Sequence, residues 1–220
     1  MSALVEPSIQ KSETLLGENR VVLHNISWTT YENLLKDLSN QSAPHLTYDQ
    51  GTLEIMAPLP PHEKINRDTE LIIRIIAAEL NIDIVSLGST TFKRDDLERG
   101  FEPDSCFYIK HESIMKNKNK IDLKIDPPPD LIFEVDITSP SIEKLPVYLH
   151  LGVPEVWRHN GTELIIYCLV KGKYQISNVS LAFPLLNSEE INYLINQGRA
   201  LKSTAFLKFL QEWIKNKINS

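Results

Sequence analysis

Cysteine and long apolar runs are both scarce in this chain. Only Cys106 and Cys168 occur among its 220 residues. Both lie in apolar stretches without metal-ligand spacing, so they read as small buried hydrophobes in a reducing compartment. No apolar run reaches the roughly 18 residues that a membrane span needs, so no membrane association is expected. The opening segment has no apolar signal core and carries acids early. Residues 1–26 are therefore expected to form a partly ordered lead-in, and the protein is expected in the cytoplasm. Positive charge is also in deficit. The formal net charge is −6, which argues against a general nucleic-acid coat protein, a class that is normally basic. It leaves room for an enzyme that meets nucleic acid through a local basic rim and bound cations. No internal repeat and no low-complexity segment is present.

Hydrophobic residues make up 42% and charged residues 24% of the chain, enough for one large domain with its own core. Ser27 can cap a helix starting near Trp28, where Tyr31, Leu34, Leu35 and Leu38 recur at helical spacing. Two short strands flank Asp49-Gln50-Gly51, a tight hairpin, and Pro58 to Pro61 close the second. A helix from about Glu63 to Leu80 carries Ile65, Ile72, Ile73, Ile76 and Leu80 on one face. Residues 82 to 93 read as one strand, residues 94 to 100 as a charged loop, and Phe101 to Ile109 as the next strand. A lysine-rich polar connection spans 110 to 129, and Leu131 to Ile137 is the clearest strand. A helix follows from Ser139-Pro140 to Leu151, with Pro146 disturbing its first turn. Strands at 153–158 and 163–170 are joined by Asn160-Gly161, a strong hairpin signal. A third strand at 174–179 and helices at 188–197 and 204–217 complete the chain. The order suggests an α/β protein of mixed α+β type: one mixed sheet flanked by helices.

In the strand at 131–137, side chains alternate between faces. Leu131, Phe133, Val135 and Ile137 share one face, and Ile132, Glu134 and Asp136 share the other. Two acids thus project together from a strand of core quality. Ionised and partly buried, they repel each other unless partners compensate, and a divalent cation would do so directly. An outer face open to water is the simpler reading. Asp104, at the start of a strand expected beside this one, adds a third acid. Asp and Glu from neighbouring strands supply the hard oxygen ligands that Mg²⁺ prefers.

Glu102-Pro103-Asp104, followed after a long connection by Pro129-Asp130-Leu131-Ile132-Phe133-Glu134-Val135-Asp136, resembles the PD-(D/E)XK nuclease signature. The ordered set TYDQGTLEIMAP, PHEKI, FEPDSCFYI, PPPDLIFEVDITSPS and EKLPVYLHLGVPEVWRH resembles, over about residues 27 to 186, a restriction-endonuclease family abundant in cyanobacteria. The resemblance implies a restriction-endonuclease-like core over 27–186, followed by a C-terminal helical extension at 187–220 packed on it. It implies a metal-dependent endonuclease that hydrolyses phosphodiester bonds in DNA, with Mg²⁺ or Mn²⁺ as cofactor. Asp104 would match the acid of the PD pair and Glu134 the acid of the triplet, both as metal ligands. Asp136 stands where the triplet has lysine, as an extra or water-mediated ligand. Either a basic residue comes from elsewhere, or the chain keeps the fold and binds nucleic acid or a protein partner without chemistry.

Lys144 is the candidate for that basic residue. It lies ten residues after Glu134, in the helix that follows the strand, and its stem can reach back over the strand's C-terminal end. The resemblance adds that a lysine commonly occupies this helix. The plain alternative is a surface lysine paired with Glu143. Glu63 can complete the metal shell or complement the helix dipole, and His62 is a weaker candidate for general base. Lys116, Lys118, Lys120 and Lys124 form a basic run that, with Arg94, Arg99 and Arg158, could contact phosphates. A solvated loop is the default reading of that run. Trp157 and Tyr148 read as core. A homodimer is expected, because cutting two strands is commonly solved by pairing two sites. Phe206, Phe209, Leu210 and Trp213 could pack within one protomer or across such an interface.

Overall fold

A computed structural model describes residues 18–39, 44–137 and 143–219. Its elements are β1 (Glu18–Leu23), α1 (Trp28–Asp37), β2 (His45–Asp49), β3 (Thr52–Pro58), α2 (Pro60–Glu79), β4 (Val85–Ser86) and β5 (Phe92–Arg94). A 3₁₀ turn at Asp95–Leu97 leads to β6 (Arg99–Phe101), β7 (Ser105–Tyr108), α3 (Glu112–Met115) and β8 (Leu131–Val135). Then come α4 (Leu145–His150), β9 (Glu155–His159), β10 (Leu164–Val170), β11 (Lys173–Ser177), α5 (Ser188–Ala200) and α6 (Ser203–Ile218).

The mixed sheet is present, in the order β11-β10-β9-β8-β7-β4, and its parallel pair is β8–β9. A second, antiparallel sheet accompanies it, in the order β1-β3-β2-β6-β5. The stretch at 82–93 is therefore not one strand. Its first part joins the mixed sheet and its last part the antiparallel one. The expected strand at 101–109 is likewise divided. Pro103 has no N–H for a ladder, and the chain changes sheets at Glu102-Pro103-Asp104. The turn is pinned by Glu102, whose carboxylate accepts from Leu46 N–H (2.9 Å) and from the Thr91 hydroxyl.

Local signals explain the remaining elements. Ser27 Oγ accepts from Thr30 N–H at the start of α1. The helix α2 begins a turn earlier than its apolar periodicity, because Pro60 and Pro61 suit the first helical positions. Gln50 and Gly51 take φ of 43° and 95° between β2 and β3, the left-handed pair that a two-residue hairpin needs. Pro146 falls at the start of α4, where a proline costs no helix bond. The expected beginning of that helix, at Ser139-Pro140, lies outside the described residues.

The alternation of β8 holds. Leu131, Phe133 and Val135 face a core shared with Trp157, α2, α5 and α6. Ile132 faces the opposite way, into a core made with Phe92, Phe101, Val147 and Tyr148 between the two sheets. Phe206 and Leu210 of α6 are buried in the first core, with Phe209 and Trp213 packed against it. That apolar face is thus used within the protomer. No helix among the described residues is long and apolar enough to cross a membrane. Both cysteines are free and buried, as their apolar surroundings suggested.

One close approach decides how the antiparallel sheet packs. Tyr31 of α1 is fully buried and stacks on Tyr48 of β2 at 4.9 Å between centroids. A Cβ on Gly100 of β6 would stand 2.3 Å from the Tyr31 hydroxyl and 2.9 Å from its ring. Gly100→Ala must push this ring out of its stack. We expect a loss of about 1–3 kcal/mol in urea unfolding, with unchanged strand content by circular dichroism. A wild-type midpoint would show that the ring has room to yield.

Candidate active site between the two sheets

The change of sheet at Pro103 sets Asp104 where the two sheets meet, beside the C-terminal half of β8. Val135 N–H donates to Asp104 Oδ2 at 2.7 Å. Asn66 of α2 donates to the Asp104 carbonyl (3.2 Å) and accepts from Ser105 Oγ (2.8 Å), fixing the backbone on its other side. Two imidazoles flank the carboxylate: His45 Nδ1 is 3.3 Å from Oδ1, and His62 Nε2 is 3.1 Å from Oδ2. Neither is aligned as a hydrogen bond, and Asp104 Oδ1 is a buried oxygen without a hydrogen-bond partner among the described residues.

Glu134 is 1% exposed and Asp104 3%, so the reading of an outer, solvated face is overturned. Both Glu134 oxygens are engaged. Lys144 Nζ donates to Oε2 at 2.6 Å, and the Tyr148 hydroxyl donates to Oε1 at 2.6 Å. Lys144 is itself buried, which overturns its alternative as a surface partner of Glu143. Asp136 is bound on both oxygens, by Arg20 to Oδ1 (2.7 Å) and by Arg158 to Oδ2 (2.8 Å). Arg20 continues to Glu54 (2.9 Å) and Glu18 (3.0 Å), so β1, β3 and β8 share one ion-pair network.

The electrostatics follow from this packing. Burial raises the Glu134 carboxyl to about 7; Lys144 opposes the shift, and Asp104 and Asp136 add to it. Burial also works against the Asp104 carboxylate, but His45, His62 and Lys144 outweigh it and hold its pKa far below the usual range. Burial favours neutral imidazoles at His45 and His62, yet Asp104 raises both. Burial likewise opposes the Lys144 ammonium, and Glu134, Asp136 and Asp104 more than reverse it.

The structure thus gathers Asp104, Glu134, Asp136, Lys144 and His62 in one cluster, and leaves other expected residues out. Glu63 is half-buried on α2 and pairs with Arg67 at 3.4 Å. Asp136 belongs to the guanidiniums. The basic run is neutralised locally: Lys116 by Glu112 (3.8 Å), Lys118 by Asp126 (2.7 Å), Lys124 by Asp95 (2.6 Å) and Arg94 by Asp96 (2.6 Å). Lys120 is exposed. Arg99 is held by Asp49 (2.9 Å), while Arg158 does reach the site. Tyr148 and Trp157 are core, as read, but Tyr148 also carries a hydroxyl into the site. Its position four residues after Lys144, on the same helix face, is the signal that could have found it. Arg20 and His45 had no such signal. Arg20 lies in the expected lead-in, whose residues 18–23 form β1.

Metal fit rests on Asp104 and Glu134. Among the described residues no three His, Cys, Asp or Glu side chains form a metal-holding group. Mg²⁺ does not require one, since it is commonly held by one or two carboxylates with water and substrate phosphate completing the shell. Asp104 Oδ1, which accepts no aligned hydrogen bond although His45 stands 3.3 Å away, and the adjoining Glu134 carboxylate, which Lys144 and Tyr148 would have to share, are the groups that would hold it.

Two packed sheets whose interface holds an Asp from a Pro-Asp turn and a Glu from the neighbouring strand define the restriction-endonuclease-like class of fold. The chain belongs to the Uma2 family, described as "Putative restriction endonuclease", whose family model matches residues 28–194. It is similar to a solved structure described as a "putative nuclease belonging to DUF820 from Anabaena variabilis ATCC 29413". The TM-score is 0.50 at 15% identity, covering 77% of this chain and 99% of that one. No curated protein matches the chain.

The Lys144–Glu134 pair can be tested through proton linkage. In Lys144→Ala, burial still raises Glu134 and no ammonium opposes it, so its folded pKa moves above 7. The folded state then binds a proton that the unfolded state releases, and stability falls as pH rises until that new pKa is passed. Above neutrality the variant should lose up to about 1.4 kcal/mol per pH unit relative to wild type. Urea unfolding at pH 7, 8 and 9 measures this. Parallel pH profiles would mean that Lys144 does not set the charge state of Glu134.

Proposed function

We propose that the protein is a metal-dependent endonuclease that hydrolyses phosphodiester bonds in DNA. The observation that carries this is the convergence of Asp104, Glu134 and the Lys144 ammonium in one buried cluster, with Lys144 Nζ 2.6 Å from Glu134. Family membership points to the same class of chemistry. Asp104 and Glu134 would hold Mg²⁺ or Mn²⁺, which when bound acidifies a coordinated water and offsets charge on the phosphorane-like transition state.

The other roles fall to this chain's own groups. His45 and His62 keep Asp104 ionised, so it is available as a ligand at any physiological pH. Tyr148 orients the Glu134 carboxyl. Lys144 takes the place that the triplet gives to its lysine: it reaches Glu134 from α4 rather than from β8, and donates to the attacking water or a phosphate oxygen. Asp136, unable to donate when ionised, instead positions Arg20 and Arg158. A second reading is favoured by the engagement of both Glu134 oxygens: a protein that keeps the fold and binds nucleic acid without cutting it.

Supercoiled plasmid incubated with purified protein and Mg²⁺ or Mn²⁺ separates the two. Nicking or linearisation should appear, stop with chelator, and fall at least ~10²-fold in Glu134→Gln. Only ionised Glu134 serves as a ligand, and it is protonated below about 7. The rate should therefore drop as pH falls through 7, approaching about tenfold per unit. Cleavage that ignores chelator or is unchanged in Glu134→Gln refutes the assignment.

A further inference from the structure

Asp136 holds two guanidiniums, and they are in different states. Arg20 is spent: Nη1 donates to Glu54 (2.9 Å), and Nη2 donates to Glu18 (3.0 Å) and to Asp136 (2.7 Å). Arg158 donates to Asp136 through Nε, at 2.8 Å. Its terminal nitrogens make no hydrogen bond to a described residue. Nη1 stands 3.6 Å from the exposed Glu143 carboxylate, beyond hydrogen-bond distance. Arg158 also occupies a boundary. With Asp136 it lines an open depression of about 440 Å³ whose wall includes Ile165 and Tyr167. Ile165 lies directly across from Arg158 in the β9–β10 register, and Tyr167 is two residues on, so the three share one sheet face. That face is the one turned toward the second sheet, where Val156 and Tyr167 pack. Arg158 and Asp136 also line the narrow cleft that holds Glu134, Lys144 and Tyr148. Among the described residues, these two side chains are the ones common to the depression and the cleft.

The charge at this boundary matters to any polyanion. The chain has a net charge of −6, and Asp104, Glu134 and Asp136 concentrate negative charge in one place. A phosphodiester approaching them is repelled unless a cation on the approach offsets the acids. Lys144 is buried and committed to Glu134. Lys116, Lys118 and Lys124 of the lysine-rich connection are spent on local acids. Arg158 borders the cleft with both terminal amino groups uncommitted, and its side chain is 21% exposed. A guanidinium fastened through Nε is fixed in its plane while its terminal groups stay available. Their N–H bonds match the oxygens of a phosphate in a way that a point charge cannot. Neutralising Asp136 does not by itself call for this second guanidinium at an open wall, since Arg20 already pairs with Oδ1.

We propose that Arg158 is the anchor for a backbone phosphate of the DNA substrate: its terminal amino groups donate to the phosphate oxygens in the depression beside the cleft, while Asp136 holds it through Nε. This rests on the nuclease reading for its chemistry but not for its binding. The test is fluorescence anisotropy with a short labelled DNA duplex over a range of salt, in chelator, so that no cleavage occurs. Wild type should bind, and Arg158→Gln should bind more weakly by roughly tenfold or more, the scale of hydrogen bonds to a charged group. Its salt slope should fall by about 0.9, the value for one phosphate on a duplex. Arg158→Lys keeps the charge and loses the fork, so it should restore the slope and leave the affinity reduced. Thermal melting of each variant verifies the fold. Arg158→Lys, which can still pair with Asp136, keeps the test open if Arg158→Gln unfolds, and wild-type affinity in that variant then overturns the proposal. So does a folded Arg158→Gln with wild-type affinity, or one that binds more weakly with an unchanged slope, as a merely structural arginine would. A wild type that binds no duplex overturns it as well. Anchored binding without plasmid cleavage sinks the nuclease reading and leaves the anchor. Glu134-dependent cleavage with wild-type affinity and slope in Arg158→Gln does the reverse.

Discussion

Carboxylates withdrawn from water and set side by side stay ionised only where cations stand against them. That constraint organises this protein. Glu134 and Asp136 leave the same face of one strand, and Asp104 joins them from the next. Each is answered by a separate cation or pair of imidazoles: Lys144 for Glu134, Arg20 and Arg158 for Asp136, His45 and His62 for Asp104. The answering groups come from β1, β2, α2, the N-cap of α4 and β9, so the charge balance of one small volume requires nearly the whole architecture to be assembled around it. A buried network of this kind contributes little net stability, because desolvation consumes most of its attraction. It does penalise any arrangement in which one partner is missing.

The three acids emerge in different electrostatic states although they share a neighbourhood. Asp104, with two imidazoles and a backbone N–H aimed at it, is held ionised. Glu134, with a single ammonium and two like charges nearby, is poised near neutrality. Asp136 is enclosed by guanidiniums, which cannot deprotonate. On the proposed match to the triplet, the position that the signature gives to a donor is here an anchor for donors, and the ammonium proposed in its place comes from Lys144 at the start of α4.

What could be read from the sequence divides along a physical line. Patterns set by local geometry were legible: the alternation of Leu131 to Ile137, the Asn160-Gly161 hairpin, the periodicity of α2, and the Ser27 cap. Lys144 was legible because a helix after a strand has few directions in which to send a long side chain. Contacts made by distant segments were not. A strand that changes sheets midway looks like a longer strand, so 82–93 and 101–109 each appeared whole. Arg20 is one arginine in a polar stretch, and only its register against β3, where it pairs with Met56, brings it to Asp136. His45 and Asn66 are single polar residues with no distinguishing neighbours, and no spacing rule connects either to Asp104. The second sheet was hidden because its strands β5 and β6 are three residues each, shorter than any period can reveal.

The chain passes between the two sheets at Glu102-Pro103-Asp104, and Asp104 is fastened on both sides of that passage: to β8 through Val135 N–H and to α2 through Asn66. Glu102 ties the preceding residue to β2. Any sliding of one sheet over the other must therefore pull on this three-residue bridge. Asp104 is thus also the rivet of the sandwich, so mechanical shear between the layers is read out directly as displacement of the oxygens proposed to hold the metal.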